Sequence, residues 1–177
     1  MRIISGKYRG KKLKSPTTQN IRPTGDKVKQ AIFTKLQFFV NNAVVLDLFS
    51  GSGALGIEAI SRGAKKVVFV DESLDSIKLT KLNLKDINEN YKILHCDYKV
   101  ALKSLNYKFD LILIDPPYSS GVYENCLKLI YENDLLDKEG IIVCERDRQK
   151  LINDIYFDLF DTKNYGTVSV DYYKTRK

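Results

Sequence analysis

Between residues 44 and 144, short apolar runs alternate regularly with stretches of helical periodicity. Val44 to Leu48, Val67 to Val70, Tyr91 to Leu94, Phe109 to Ile114 and Ile141 to Cys144 read as strands. Helices are expected over Ala54–Arg62 (closed by Gly63), Leu74–Lys85, Val100–Leu105 and Tyr123–Tyr131. Strands separated by crossover helices form right-handed βαβ units, and hence a parallel sheet covered on both faces. The tail differs: Asp154–Phe160 and Thr167–Tyr173 alternate apolar and polar residues around Asn164-Tyr165-Gly166. They predict a final antiparallel pair at the sheet edge. At 177 residues the chain fits one domain with a full-sized core.

Ahead of the sheet lies a different kind of segment. Arg2 to Lys14 carries β-branched residues and is punctuated by Gly6 and Gly10, as in a small hairpin. Pro16 to Pro23 is loop-like, and Thr24 is placed to cap a helix. Val28, Ile32, Leu36 and Phe39 then recur at helical spacing and give one apolar face. Residues 1–29 hold nine Lys or Arg and one acid, a surplus of eight, whereas the other 148 hold 20 basic and 21 acidic side chains. The whole net charge of +7 therefore belongs to this segment. A basic arm on a neutral body is the asymmetry of a polyanion-binding protein, although a solvated face without a partner has the same composition. Lys7, Arg9, Lys11 and Lys12, interleaved with Tyr8, suit phosphates and a stacked base.

Other classes recede. No apolar run approaches the roughly 20 residues of a membrane span, and no signal-peptide pattern opens the chain. Cys96, Cys126 and Cys144 are odd in number and lack Cys-x-x-Cys spacing, so reduced thiols in a cytoplasmic protein are expected. His95, the only histidine, has no partner at metal-ligand spacing.

The chemistry gathers at strand ends, where open α/β sheets bind ligands. After the first strand, Gly51-x-Gly53-x-x-Gly56 predicts a tight turn into a helix N-terminus. Asp71 closes the second strand, where a carboxylate can accept from ribose hydroxyls. Together they indicate an adenosine-containing cofactor without deciding between NAD and S-adenosylmethionine. Asp47, four residues before Gly51, favours the second: it would repel a pyrophosphate but suits a cationic sulfur and an ammonium group. Asp97, after the third strand, can accept from an adenine amino group. Ordinary capping would explain Asp47 and Asp97 equally well. After the fourth strand, Asp115-Pro116-Pro117-Tyr118 forms a stiff turn, because paired prolines neither donate ladder hydrogen bonds nor continue a helix. Asp115 and the Pro116 carbonyl can accept both N–H bonds of a planar base's amino group, and Tyr118 can stack on its face or pack as core.

These residues resemble a known group. Asp115-Pro116-Pro117-Tyr118, with Asp47, Phe49 and the Gly51-Ser52-Gly53 turn, is similar to the amino-methyltransferases that use S-adenosylmethionine. The likeness narrows to the RsmD family of bacterial 16S rRNA guanine-N2 methyltransferases. It is carried by Arg2-Ile3-Ile4-Ser5-Gly6, Arg9-Gly10-Lys11-Lys12-Leu13, Ile21-Arg22-Pro23-Thr24 and the stretch from Asp47 through Gly56 and Glu58 to Gly63. One departure is Asp71, where relatives often carry Glu.

The resemblance implies a class I methyltransferase, Rossmann-like α/β fold with an antiparallel C-terminal strand pair. Residues 1–40 would form the basic hairpin, loop and helix, packed on the methyltransferase domain of residues 41–177. Asp47, Phe49, Ser50, Gly51, Ser52, Gly53, Asp71, Glu72, Asp97 and Tyr98 would hold S-adenosylmethionine. Asp115, Pro116, Pro117 and Tyr118 would hold the guanine amine and ring. Lys7, Tyr8, Arg9, Lys11, Lys12, Arg22 and Thr24 would face the RNA. The partner would be 16S rRNA, naked or in an assembling small subunit, met by a monomer. Two alternatives are a DNA adenine-N6 methyltransferase, which shares Asp-Pro-Pro-Tyr but normally carries a target-recognition domain, and a non-catalytic RNA-binding assembly factor.

Overall fold

A computed structural model describes residues 1–16, 25–117 and 121–176. Tyr118, Arg22 and Thr24 therefore lie outside the described residues. Five strands, β1 (Val44–Asp47), β2 (Lys66–Asp71), β3 (Tyr91–His95), β4 (Phe109–Ile114) and β5 (Leu136–Asp147), pair in parallel. The last two, β6 (Phe157–Tyr165) and β7 (Val168–Thr175), join antiparallel. The strand order is β3-β2-β1-β4-β5-β7-β6. It reverses direction of winding between β1 and β4, the switch point at which such sheets open a ligand crevice. The tail pair thus extends the sheet, with β7 joined to β5 and β6 at the edge.

Helices α1 (Asp26–Lys35), α2 (Ala54–Ser61), α3 (Leu74–Leu84), α4 (Tyr98–Ser104) and α5 (Val122–Glu132) cover the sheet. Alternate strand residues point to opposite faces, so β1 and β4, flanked by strands and roofed by helices, are buried on both sides. Val45, Leu111, Leu113 and Val143 pack with α1 and α2 on one face; Leu46, Ile112, Ile114 and Cys144 pack with α4 and α5 on the other.

Several expected boundaries move: β6 spans Phe157–Tyr165 rather than Asp154–Phe160, and α4 begins at Tyr98 rather than Val100, because Asp97 caps it. Helix α1 ends at Lys35 rather than running to Phe39, and its N-cap is Gly25, which makes no side-chain cap bond. Strand β5 runs for 12 residues instead of Ile141 to Cys144. Its polar start, Asp137 to Glu139, hides it from an apolar pattern, while its far end is held by β7 as far as Asp147↔Val168. The N-terminal hairpin has one bridging pair, Arg2↔Lys12, closed by Ile3 N–H to the Lys11 carbonyl (3.0 Å) and Gly10 N–H to the Ile3 carbonyl (2.9 Å).

That hairpin is fastened to the body rather than free. Ile3 and Leu13 are buried in the same cluster as α1 and α2, each burial stabilising by about 1.5–3 kcal/mol. The fully buried Glu58 of α2 accepts from the Ile4 N–H (2.8 Å) and the Ser5 N–H (3.1 Å), and from Arg62 Nε (2.8 Å). Lys29 of α1, also fully buried, places Nζ 3.5 Å from Glu58 and donates to the Arg2 carbonyl (2.6 Å). At Gly6 (φ +85°) a Cβ would stand 1.7 Å from the Ser61 carbonyl oxygen, so only glycine lets the arm approach the end of α2.

Candidate active site

The carboxyl ends of β1, β2, β3 and β4 meet on one edge. The turn after β1 is stretched between its neighbours: Leu48 N–H donates to the Leu113 carbonyl of β4 (3.1 Å) and Ser50 N–H to the Val70 carbonyl of β2 (2.8 Å). Polar groups of α3 support it from below. Thr80 Oγ1 donates to the Gly51 carbonyl (3.0 Å) and lies 3.4 Å from Ser50 Oγ, and Asn83 Nδ2 donates to the Ser52 carbonyl (2.9 Å). Gly53 N-caps α2 in the left-handed region. Gly56 brings α2 onto β2, since a Cβ there would stand 2.3 Å from Phe69 Cε1. Gly51 has φ +52°, and a Cβ there would meet nothing within 4 Å. The turn therefore presents bare backbone to open space, which is what a ligand resting on a glycine turn requires.

Two carboxylates brace this turn. Asp47, buried at the end of β1, accepts from Gly56 N–H (2.9 Å). Desolvation raises its carboxyl to about 7; the Gly56 hydrogen bond opposes the shift, and the charges of Asp115 and Asp71 add to it. Asp71 accepts from Gly51 N–H (2.8 Å) and, with its other oxygen, from Ser73 N–H (2.8 Å). Glu72 is exposed, and its carbonyl lies 3.0 Å from His95 Nε2, giving the lone histidine a structural contact. Asp97 caps α4 through Lys99 N–H (2.7 Å), so the capping reading is present in the fold. The Phe49 and Tyr98 rings stand at 5.4 Å and a 47° tilt, and Tyr98 Oη accepts from Asn125 Nδ2 (2.9 Å).

Asp115 follows Ile114, whose register partner on β5 is Cys144. Being two residues past Leu113, it lies on the same face as Leu113 and Asp47, which are themselves paired. Asp115 is half-buried, Pro116 buried and Pro117 exposed. One residue past the last β4–β5 pair, Ile114↔Cys144, β5 carries Glu145, whose carbonyl accepts from the Tyr123 hydroxyl (2.6 Å). Thr80, Asn83 and Glu145 were not singled out from sequence. The first two show only as polar residues at i, i+3 on the buried stripe of α3, and Glu145 needs the register to be placed.

The arm touches this site only indirectly among the described residues, where the Lys14 backbone exchanges hydrogen bonds with Asn83 (2.7 and 3.0 Å); its other basic side chains lie elsewhere. Lys7 Nζ is 2.6 Å from Glu89 Oε1, the Tyr8 hydroxyl donates to the same oxygen (3.0 Å), and Lys11 Nζ reaches the Lys85 carbonyl. Glu89 and Lys85 precede β3, so these contacts are at the amino edge of the sheet, opposite Asp115. Arg9 and Lys12 are exposed.

The family model described as conserved hypothetical protein 95 matches residues 1–174. The chain belongs to the RsmD family of ribosomal RNA small subunit methyltransferases. YlbH of Bacillus subtilis (strain 168) is 38% identical over 183 residues, covering 99% of this chain and 100% of that one. Ribosomal RNA small subunit methyltransferase D of Haemophilus influenzae is 34% identical over 98% of this chain and 93% of its own. Among solved structures, the yhhF protein of Escherichia coli superposes with a TM-score of 0.90 at 28% identity, covering 99% and 98% of the two chains.

Proposed function

We propose that this RsmD-family chain transfers a methyl group from S-adenosylmethionine to the exocyclic N2 amine of a guanine in 16S rRNA. The observation that carries the reading is the juxtaposition at the switch point. A bare glycine turn and a buried carboxylate end β1, and Asp115-Pro116 ends the adjacent β4. A cofactor pocket and an amine-acceptor pair thereby share one edge.

The residues present fit the cofactor. Asp47 is a buried carboxyl held at the edge of ionisation, and a cationic ligand beside it offsets its desolvation. When bound, S-adenosylmethionine supplies an electrophilic methyl on a cationic sulfur. The Gly51–Gly53 backbone and Asp47 hold its methionine end. Asp71 serves the ribose: its oxygens already accept two backbone N–H bonds, and a carboxylate offers about four acceptor sites. Asp97 serves the adenine amine, and Phe49 and Tyr98, whose rings touch one another, offer it an aromatic wall.

Asp115 and the Pro116 carbonyl accept the two N–H bonds of the guanine amine, and Tyr118 stacks on the extruded base. The amine is a weak nucleophile because its lone pair is delocalised into the ring. Two acceptors draw the nitrogen toward sp³ geometry and stabilise the positive charge that develops on it. The proton leaves only after methylation has made it acidic, so Asp115 need not be a strong base. The exposed lysines and arginine of the arm grip RNA away from the reacting centre. The partner is 16S rRNA, free or within an assembling subunit, met by a monomer. Among the described residues no helix is long and apolar enough to cross a membrane.

The test offers labelled S-adenosylmethionine with small subunits, free rRNA and duplex DNA, and identifies the product nucleoside by mass. N2-methylguanosine in rRNA is expected. N6-methyladenine in DNA would keep the cofactor and overturn the substrate, and no transfer despite cofactor binding would leave the RNA-binding alternative standing.

A further inference from the structure

A second basic surface exists that the charge count did not single out. The exposed side of α1 and the end of the β6–β7 hairpin flank a shallow, open cleft of about 460 Å³ lined by Lys27, Gln30, Ala31, Thr34, Lys35, Lys163 and Tyr165. Three ammonium groups meet one carboxylate there: Asp161 lies 2.5 Å from Lys35 and 3.4 Å from Lys163. Lys27 is exposed and makes no ion pair among the described residues. The cleft therefore keeps a surplus of positive charge beside a tyrosine ring.

Register places the cleft at the reacting edge. Lys163 pairs with Val170 and Val170 with Glu145, and Glu145 and Asp115 each stand one residue past the last β4–β5 pair, Ile114↔Cys144. Paired residues on neighbouring strands share a face, and Val170 packs on the α1 side. Lys163 and Asp115 thus occupy one row on one face of the sheet, three strand spacings or about 14 Å apart. The hairpin tip at Tyr165, paired with Val168, rises two residues past that row. By contrast, Lys7, Tyr8 and Lys11 are engaged at the opposite edge.

We propose that the cleft between α1 and the β6–β7 hairpin is the site that holds the RNA backbone next to the extruded target nucleotide, with Lys27 and Lys163 on phosphates and Tyr165 against a flanking base or sugar. The proposal rests on the RNA-methyltransferase reading above and names where its substrate strand runs. The occupant follows from charge and size. A surplus of cations suits a polyanion, the volume is in the range of small-ligand sites, and an aromatic ring beside lysines is the usual surface for single-stranded nucleic acid.

The test compares wild type with Lys27→Gln/Lys163→Gln and, for a larger effect, Lys27→Glu/Lys163→Gln, measuring rRNA binding against salt, KM for rRNA and S-adenosylmethionine affinity. Retention of cofactor affinity controls for folding, since neither lysine touches the glycine turn. The expected result is a salt slope lower by about two, a KM for rRNA raised about tenfold and unaltered cofactor binding. An unchanged slope and KM in the folded variants would overturn the proposal. So would a defect confined to assembled subunits with free-rRNA binding intact, which would make the cleft a protein contact. A wild-type enzyme that binds rRNA through these lysines yet makes no N2-methylguanosine would instead sink the reaction and spare the cleft.

Discussion

Asp47 is the residue whose charge state the fold leaves most open. Burial lifts its carboxyl from 3.8 to about 7, with Asp115 and Asp71 adding to the shift. The folded state thus holds a proton that the unfolded chain releases near 3.8. The contribution to stability is favourable at low pH, declines as pH rises from about 4 to 7, and is flat above. A sulfonium and an ammonium beside Asp47 favour the ionised form, so cofactor binding should expel this proton. S-adenosylmethionine affinity is therefore expected to rise with pH up to about 7, by at most tenfold per unit, and to level off above it. Calorimetry in buffers of different ionisation enthalpy should register proton release at pH 6.5, and Asp47→Asn should abolish it while weakening binding. Affinity that is flat across this range would separate Asp47 from the cofactor. Asp115 carries the complementary expectation. Asp115→Ala removes one of two acceptors on the amine, an effect of the size seen for preorganised electrostatic groups, about 10²–10³ in kcat. Its S-adenosylmethionine Kd should stay within about threefold of wild type, because Asp71, Thr80 and Asn83 hold the glycine turn. Retained turnover with lost cofactor affinity would reverse the two roles.

Helix α2 is the element through which these residues are coupled. Its first turn supplies the Gly56 N–H to Asp47, its middle supplies Glu58 to the arm and to Lys29, and its end receives Gly6 on the Ser61 carbonyl. Gly56→Ala must push α2 off Phe69, an overpacking expected to cost about 1–3 kcal/mol. Urea midpoint and cofactor affinity should fall together. Glu58→Ala leaves buried Lys29 with Asp26 alone, 3.7 Å away, and the Ile4 and Ser5 N–H groups without an acceptor. A loss of about 3–5 kcal/mol is expected, and proteolysis should then cut first in residues 1–14. Little of this was legible in the chain. The glycine turn, the strand-end acids and the five parallel strands could be read because each depends on local chemistry: apolar runs, a positive φ, a proline stop. Glu58 and Lys29 could not, since a charged residue on a helix reads as exposed until the partner 54 or 27 residues away is placed against it. The polar start of β5 escaped for a related reason: Leu136 pairs with Phe109 and Ile141 with Leu111, and Asp137 to Gly140 bridge the register shift between them without partners on β4. Asp71 shows the limit inside the site: its position was readable, but not that Gly51 and Ser73 already use both its oxygens.

On the scale of the molecule, the surplus of eight charges in residues 1–29 divides into groups with different surroundings. Lys29 is buried against Glu58, and that burial lowers its ammonium below the usual lysine range, so it belongs to the core and not to any RNA surface. Lys7 and Lys11 face acids of the body, Glu89 at 2.6 Å and Asp86 at 4.0 Å. Glu89 holds the Lys7 ammonium above its ordinary value, so a phosphate that binds Lys7 must compete with a carboxylate already there. Arg9 and Lys12 are exposed and meet no such competitor among the described residues. Counterion release counts the phosphates a protein neutralises beyond its own internal pairs. Arg9→Gln/Lys12→Gln is therefore expected to lower the salt slope of rRNA binding by about two, and Lys7→Gln/Lys11→Gln by less than one. Because the arm docks at the amino edge of the sheet, both pairs should raise KM for rRNA while leaving kcat at saturating RNA within about twofold. Equal slopes for the two pairs would mean that Glu89 and Asp86 release the arm on binding. A fall in kcat would place the arm at the reacting base, which its position across the sheet from Asp115 argues against.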